Sequence, residues 1–371
     1  MNSFWHNKRV LVTGHTGFKG SWLTQWLKLL GAEIIGFALP PPTDLNLFNV
    51  AGIAQNTISL TGDIRNYLEI LEVIKKYQPS IVFHLAAQPL VRHSYLQPLE
   101  TYATNVMGTL HLFEAIRQSK KECTIINVTS DKCYENKEWF WGYRENEPMG
   151  GYDPYSNSKA CAELVTSAYR NSFFDPISFS QHKISLASAR SGNVIGGGDW
   201  ATDRLIPDII RACINNVPVR IRNSHSIRPW QHVLEPLAGY LKLAQKLHEA
   251  PMMYGEPWNF GPNDDDAKPT QWLVEQVLSL WGGSNYWESD SSALHEATYL
   301  KLDCGKAKTR LGWQPIWNLE RALVETVRWY KAYYQQQGIN ELMCHQIRTY
   351  SEQTKLMMNK VIAPVGEEII K

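Results

Sequence analysis

Nowhere does the chain run to ~20 consecutive apolar residues, so nothing in it reads as a membrane-spanning helix. It has almost no excess of either charge: 37 basic and 36 acidic residues give a net charge of +1. No global field therefore draws it to nucleic acid or to an anionic membrane. C-x-x-C is absent. The six cysteines (Cys123, Cys133, Cys161, Cys213, Cys304, Cys344) are scattered. They fit buried thiols in a reducing cytoplasm, not a metal site or a disulfide frame. The segment from Met1 to Arg9 lacks the long apolar run and small-residue cleavage site of a signal peptide, so the expected location is cytoplasmic. No internal repeat is apparent. What the chain does have is length and apolar mass: 371 residues, 44% hydrophobic, enough for a large core. Its fourteen tryptophans suit aromatic packing and leave open stacking on a ring-shaped ligand.

One stretch organises the rest, Tyr155-Ser156-Asn157-Ser158-Lys159. A tyrosine and a lysine four apart share one helix face. Free tyrosine ionises near pH ~10, and an ammonium about 4 Å away could lower that by roughly 3 units. Tyr155 would then act as a base toward a hydroxyl at neutral pH. Y-x-x-x-K also arises on plain amphipathic helices, so its weight comes from its surroundings.

Those surroundings alternate strand and helix. Lys8 to Thr13 fits a buried parallel strand. Gly14-His15-Thr16-Gly17-Phe18-Lys19-Gly20 follows, then a helix-like run from Ser21 to Leu30. Glycines at such a turn let backbone approach a diphosphate, and the free N–H groups of a helix start favour its charge. A second strand, Glu33 to Leu39, ends in Ala38 where a dinucleotide site usually carries an acid for the ribose. No Lys or Arg follows it to take a 2′-phosphate, though Lys19 could approach one; loose cofactor binding is the expectation. Asp63-Ile64 ends the third strand pattern; the carboxylate suits either an adenine amino group or the N-cap of a helix from about Asn66 to Tyr77. The fourth strand, Ser80 to Leu85, ends in His84-Leu85-Ala86-Ala87, small residues that leave room for a cofactor, with His84 read as a packed residue. Pro98 to Ser119 is helical. The fifth strand delivers Thr129-Ser130-Asp131-Lys132, and Asp153-Pro154 opens the Tyr155 helix. Lys183 to Ser188 is the sixth strand, followed by Ala189-Arg190. The pattern predicts an α/β fold, a Rossmann-type doubly wound parallel sheet that binds its ligand beyond the strands' carboxyl ends.

From about residue 193 the alternation stops. A smaller C-terminal α/β substrate lobe is expected over 193–335, after a dinucleotide-binding domain over 1–192 that also takes in about 231–260 through a helix at Glu235 to Glu249. The polar stretch 336–371 reads as an extension, either an oligomer contact or partly ordered.

Taken together, the segments resemble the extended short-chain dehydrogenase/reductase superfamily over about residues 8–335, and within it the CDP-glucose 4,6-dehydratases. The resemblance rests on the glycine turn with Ser21-Trp22, Thr129 to Tyr134, Gly192 to Trp200, Asp203 to Asp208 and Arg228 to Val233, in that order. It implies bound NAD, contacted by residues 14–20, Asp63, Ile64, Leu85, Ala86, Ala87, Thr129, Tyr155, Lys159 and Arg190. It implies CDP-glucose as substrate, with Asn193, Arg204, Leu205 and Arg228 on the nucleotide sugar. It further implies a homodimer or homotetramer, and a place in making 3,6-dideoxyhexoses of bacterial surface polysaccharide. Tyr155 would take the 4-hydroxyl proton, Ser130 would bond the 4-oxygen and Asp131 would protonate the departing 6-hydroxyl. Lys132 stands where related enzymes carry a glutamate as C5 base; Glu135 or a water is the alternative. A 4-epimerase on the same scaffold would not need Asp131 and Lys132, and a non-catalytic sensor would need none of these groups.

Overall fold

The computed structural model describes residues 2–221, 223–289 and 299–362. Seven parallel strands form its central sheet: β1 Arg9–Thr13, β2 Glu33–Ala38, β3 Ile58–Thr61, β4 Ile81–His84, β5 Cys123–Val128, β6 Ile184–Arg190 and β7 Pro257–Asn259. Their order is β7-β6-β5-β4-β1-β2-β3. The central strands are buried on both faces, which is why they read as unbroken apolar runs rather than as alternations. The strand order reverses between β1 and β4, so the connections leaving their carboxyl ends run to opposite sides and a crevice opens beyond the sheet edge.

Five helices bear on the site. They are α1 Phe18–Leu29, α2 Tyr67–Tyr77, α3 Gly108–Ser119, α4 Pro154–Ser172 and α5 Leu205–Asn215. Helix α1 begins three residues before the run expected from Ser21, with Gly17 as its N-cap. The glycine turn is thus partly the first turn of the helix. Gly20 is required there, because a Cβ would lie 2.1 Å from the Gly14 carbonyl oxygen. The Pro98 to Ser119 run is helical but passes through a wide π turn at Ala103–Met107 before α3. Asp153 caps α4 by accepting from the Ser156 amide at 2.9 Å and its hydroxyl at 2.6 Å. Asn66, not Asp63, caps α2.

Between β6 and α6 (Leu234–Glu249) the described residues add α5 and short strands outside the main sheet; α6 then packs on β5 and β6, and β7 joins the sheet beside β6. Two further helices close the described chain, α7 (Leu319–Tyr334) and α8 (Ile339–Ile362). The extension is therefore a docked helix: Ile339, Met343, Ile347 and Tyr350 are buried, and α8 lies against α1 and α7. Its Tyr350 hydroxyl donates to the buried Glu235 carboxylate at 2.6 Å, which also accepts the Trp317 amide at 2.6 Å. Residues 363–371 lie outside the described part. Most tryptophans serve packing: Trp5, Trp22, Trp258 and Trp329 are fully buried, while Trp200 and Trp230 stand on the wall of the large cavity.

Candidate active site

One cavity of about 790 Å³ lies beyond the sheet's carboxyl edge, between the sheet and the residues after β6. Its floor is the glycine turn. Gly14 has φ +74°, and a Cβ there would stand 2.7 Å from the Ala86 amide, so the ends of β1 and β4 approach this closely only because Gly14 has no side chain. No side chain caps the first turn of α1. Its amides and the positive end of the helix dipole are left for an anion, and the glycines leave room for one to approach. This chemistry fits the diphosphate of a dinucleotide.

Every predicted site residue lines this cavity except His15 and Arg190. His15 is fully buried, with Nε2 on the Ser59 hydroxyl at 2.7 Å, and its ring fills the space above Gly36. Burial drives its pKa down to about 4, so its ring is a neutral packed group that offers no side-chain charge to a cofactor phosphate. Arg190 is likewise occupied elsewhere. It donates to the Glu163 carboxylate at 2.8 Å, to the Tyr134 hydroxyl at 2.7 Å and to the Glu145 carbonyl at 3.0 Å. A strand alternates its side chains, and Arg190 falls on the face that α4 covers rather than on the cavity. His84 is structural as expected, held between the Thr13 and Thr109 hydroxyls at 2.7 and 3.1 Å.

The end of β5 and the start of α4 meet at the centre of the wall. Ser130, Asp131, Lys132, Tyr155 and Lys159 all face the cavity. Ser130 caps the short turn Asp131–Cys133 by accepting from the Lys132 amide at 3.2 Å, and donates to Asp131 Oδ1 at 2.9 Å. Asp131 is 2% exposed and its Oδ2 has no hydrogen-bond partner. Glu135, the alternative C5 base, is not on the wall; its carboxylate binds the Lys137 ammonium toward solvent.

The electrostatics reverse one expectation. Burial pushes the Tyr155 phenol up to about 12; a Ser130 hydrogen bond and the Arg204 charge oppose this, while Asp131 and Asp153 add to it. Lys159 is not among the largest of these influences. Burial draws Lys159 itself down to about 8, against the pull of Glu163. Desolvation of the phenolate outweighs the one ammonium invoked from helix spacing.

Lys19, which from the sequence could have approached a 2′-phosphate, instead reaches toward Asp131 and Lys159. Its ammonium donates to the Ser191 hydroxyl at 2.9 Å and lies among Arg204, Asp131 and Lys159. Burial first, then Arg204, draws its pKa down to about 7. Arg204 pairs with Asp199 at 2.8 Å, and Arg92 reaches across the cavity mouth to Asp203 at 3.1 Å. Ser191, Asp199, Trp200, Trp230 and Thr270 are wall residues that sequence reasoning did not select. Ser191 carried a positional signal, as a hydroxyl directly beyond a strand's carboxyl end, and Asp199, Trp200 and Trp230 lay within segments that carried the resemblance.

A doubly wound parallel sheet, a glycine turn at its switch point and a tyrosine–lysine helix facing an acid-bearing strand end define a short-chain dehydrogenase/reductase that acts on a nucleotide-linked substrate. Residues 11–326 match the family model for GDP-mannose 4,6 dehydratase, and the chain belongs to that family. It is 56% identical over 343 residues, 92% of this chain and 95% of the other, to a CDP-glucose 4,6-dehydratase of Salmonella typhimurium. A probable dTDP-glucose 4,6-dehydratase of Sinorhizobium fredii is 27% identical, covering 87% of this chain and 92% of its own. Among solved structures, the dTDP-glucose 4,6-dehydratase of Bacillus anthracis in complex with NAD superposes with a TM-score of 0.74 at 24% identity, covering 89% of this chain and 98% of that one. The UDP-glucose 4-epimerase of Thermotoga maritima gives 0.76 at 20%, covering 88% and 99%. At these identities the structural likeness is one of fold.

Proposed function

We propose that the chain catalyses the 4,6-dehydration of CDP-glucose to CDP-4-keto-6-deoxyglucose and water, with NAD held in the cavity. The observation that carries this reading is Ser130, Asp131, Lys132, Tyr155 and Lys159 on one wall, in a chain 56% identical across 92% of its length to a CDP-glucose 4,6-dehydratase. The glycine turn and the start of α1 would hold the cofactor's diphosphate, and Asp63 its adenine. When bound, NAD supplies a hydride acceptor for C4 and the same hydride for C6.

The chain's own residues do the proton work. Tyr155 takes the 4-hydroxyl proton. The resulting ketone acidifies the C5 hydrogen, which Lys132 removes and later replaces. Asp131 protonates the 6-hydroxyl as water leaves. Arg204 and Arg228 take the nucleotide diphosphate, guanidinium forks being well matched to phosphate oxygens. The working unit divides into a dinucleotide domain of 1–192 with about 231–260 and a substrate lobe of 193–335. Leu99, Met107 and Leu164 are exposed on neighbouring helices of the dinucleotide domain, a face suited to pairing with a second copy.

Incubation of the protein and NAD with CDP-, UDP-, GDP- and dTDP-glucose, read by mass spectrometry, tests the reading. Loss of one water from CDP-glucose is expected. Loss from a different sugar nucleotide would overturn the cytosine assignment, and 4-epimerisation without water loss would overturn the dehydratase. The C5 base is tested separately. In deuterated water Lys132→Met should lower C5 deuterium incorporation and turnover together, by about 10²–10⁴-fold. Normal C5 exchange in that variant removes Lys132 from the role.

A further inference from the structure

The cavity wall carries five aspartates, and four of them are taken up by arginines. Asp63 pairs with Arg65, Asp199 with Arg204, Asp203 with Arg92 and Asp208 with Arg211. The fifth, Asp131, is left with three wall lysines, Lys19, Lys132 and Lys159, none of which forms an ion pair among the described residues. Lys132 is the proposed C5 base, and Lys159 is drawn toward Glu163 one turn along α4. Lys19 has no such occupation.

Hydrogen bonds fix where Lys19 stands. It is the second residue of α1, on the glycine floor. From there its ammonium reaches the Ser191 hydroxyl at 2.9 Å. Ser191 is anchored in turn by Tyr240 of α6, hydroxyl to hydroxyl at 2.6 Å. The Ser191 carbonyl accepts the Asp131 amide at 3.4 Å, and Gly192 lies directly against the Asp131 carboxyl group. The Lys19 side chain therefore bridges the gap from the glycine turn to the loop that rests on Asp131. A dinucleotide with its diphosphate on the glycine turn and its hydride acceptor beside a sugar at Tyr155 has to lay its nicotinamide half through that gap.

We propose that Lys19 sets the redox balance of the bound cofactor: its ammonium faces the nicotinamide, opposing the cationic ring of NAD and favouring the neutral ring of NADH. The inference rests on the dehydratase reading. In that reaction the C4–H bond breaks, its electron pair goes with the hydride to the ring, and the 4-hydroxyl proton goes to Tyr155. The alcohol is oxidised, and the ring is reduced and loses its positive charge. A cation held beside the ring raises the energy of the oxidised form alone, through a repulsion that the neutral form does not feel. Lys19 so assists the first hydride transfer, which starts from an unactivated alcohol. The return transfer needs no such help, because dehydration has made its acceptor a conjugated ketone.

The test is equilibrium binding of NAD, NADH and ADP-ribose, which has no nicotinamide, to wild type, Lys19→Met and Lys19→Gln at pH 6. At that pH the Lys19 ammonium, drawn down to about 7 mainly by burial, is still largely charged. Both variants should bind NAD more tightly relative to NADH than wild type does, changing the ratio of the two dissociation constants by about 10–10²-fold. ADP-ribose should bind all three proteins alike, which also shows that the variants are folded. Parallel loss of affinity for NAD, NADH and ADP-ribose would place Lys19 on the diphosphate and overturn the proposal. An unchanged ratio in Lys19→Met overturns it as well. A ratio that shifts in Lys19→Met but not in Lys19→Gln assigns the effect to the Ser191 hydrogen bond instead of the charge, and also overturns it. If the ratio shifts as expected but no nucleotide glucose loses water, Lys19 keeps this role and the dehydratase reading alone falls.

Discussion

Gly192→Ala should abolish water loss while leaving the chain folded. Gly192 does not adopt the left-handed backbone, so alanine is tolerated by its φ. The obstacle is Asp131, the proposed acid: an added Cβ would lie 1.7 Å from its Oδ2 and 2.2 Å from its Cγ. Asp131 has no room to yield, being 2% exposed and bound at Oδ1 by Ser130. Either the carboxylate turns out of line with Ser130 or the loop after β6 lifts away from the end of β5. Both separate the acid from the 6-hydroxyl, and loss of one positioned acid costs about 10²–10⁴-fold in kcat. The control is a double-mutant cycle. In an Asp131→Ala background there is no carboxylate to strike, and Gly192→Ala should then cost little further. Turnover of Gly192→Ala within about tenfold of wild type would show that Asp131 is not placed where this packing puts it.

Much of this site was legible because its signals are local. A glycine turn between a strand and a helix, a polar strand end and a tyrosine–lysine pair at helix spacing each depend on a few consecutive residues. The wall at Ser130 to Lys132 follows from β5 ending at Val128, which the apolar run shows. What was not legible depends on which way a side chain turns and on what covers it. Arg190 ends a strand at the cavity edge, and only its pairing with Glu163 reveals that it faces inward. His15 sits inside the glycine motif yet packs above Gly36. The sign of the Tyr155 shift depends on burial from every side, which helix spacing does not report. The docked α8 is a different case: Ile339, Met343, Ile347 and Tyr350 repeat at helical intervals, so the sequence carried the signal beneath a polar composition.

Glu163→Gln should destabilise the protein and shift its alkaline limb to lower pH. Glu163 lies one turn beyond Lys159 on α4, and its side chain and that of Arg190 are each 4% exposed. The carboxylate accepts from Arg190 at 2.8 Å, Ser188 at 2.7 Å and Thr129 at 2.5 Å. Burial pushes its pKa up, but the Arg190 charge and these donors more than offset that, so the net shift is downward and Glu163 is ionised. A glutamine keeps the shape and removes the charge, leaving the Arg190 guanidinium buried without a counter-ion, which costs about 3–5 kcal/mol. Against a total stability of roughly 5–15 kcal/mol, that is a large fraction, visible as a lower denaturant midpoint. Removing both charges with Glu163→Leu and Arg190→Met should recover much of the loss. The second effect reaches catalysis through Lys159, whose pKa is about 8 in the fold against 10.5 outside it. The fold binds fewer protons here than the unfolded chain, so this group's contribution to stability rises as pH climbs between those values. Glu163 is the largest influence holding the Lys159 value up. Without it the value falls below about 8, the ammonium deprotonates earlier, and the decline in rate on the alkaline side begins at lower pH. A variant with an unchanged midpoint and an unchanged alkaline limb would show that the ion pair behind the catalytic strand neither braces β6 against α4 nor tunes Lys159.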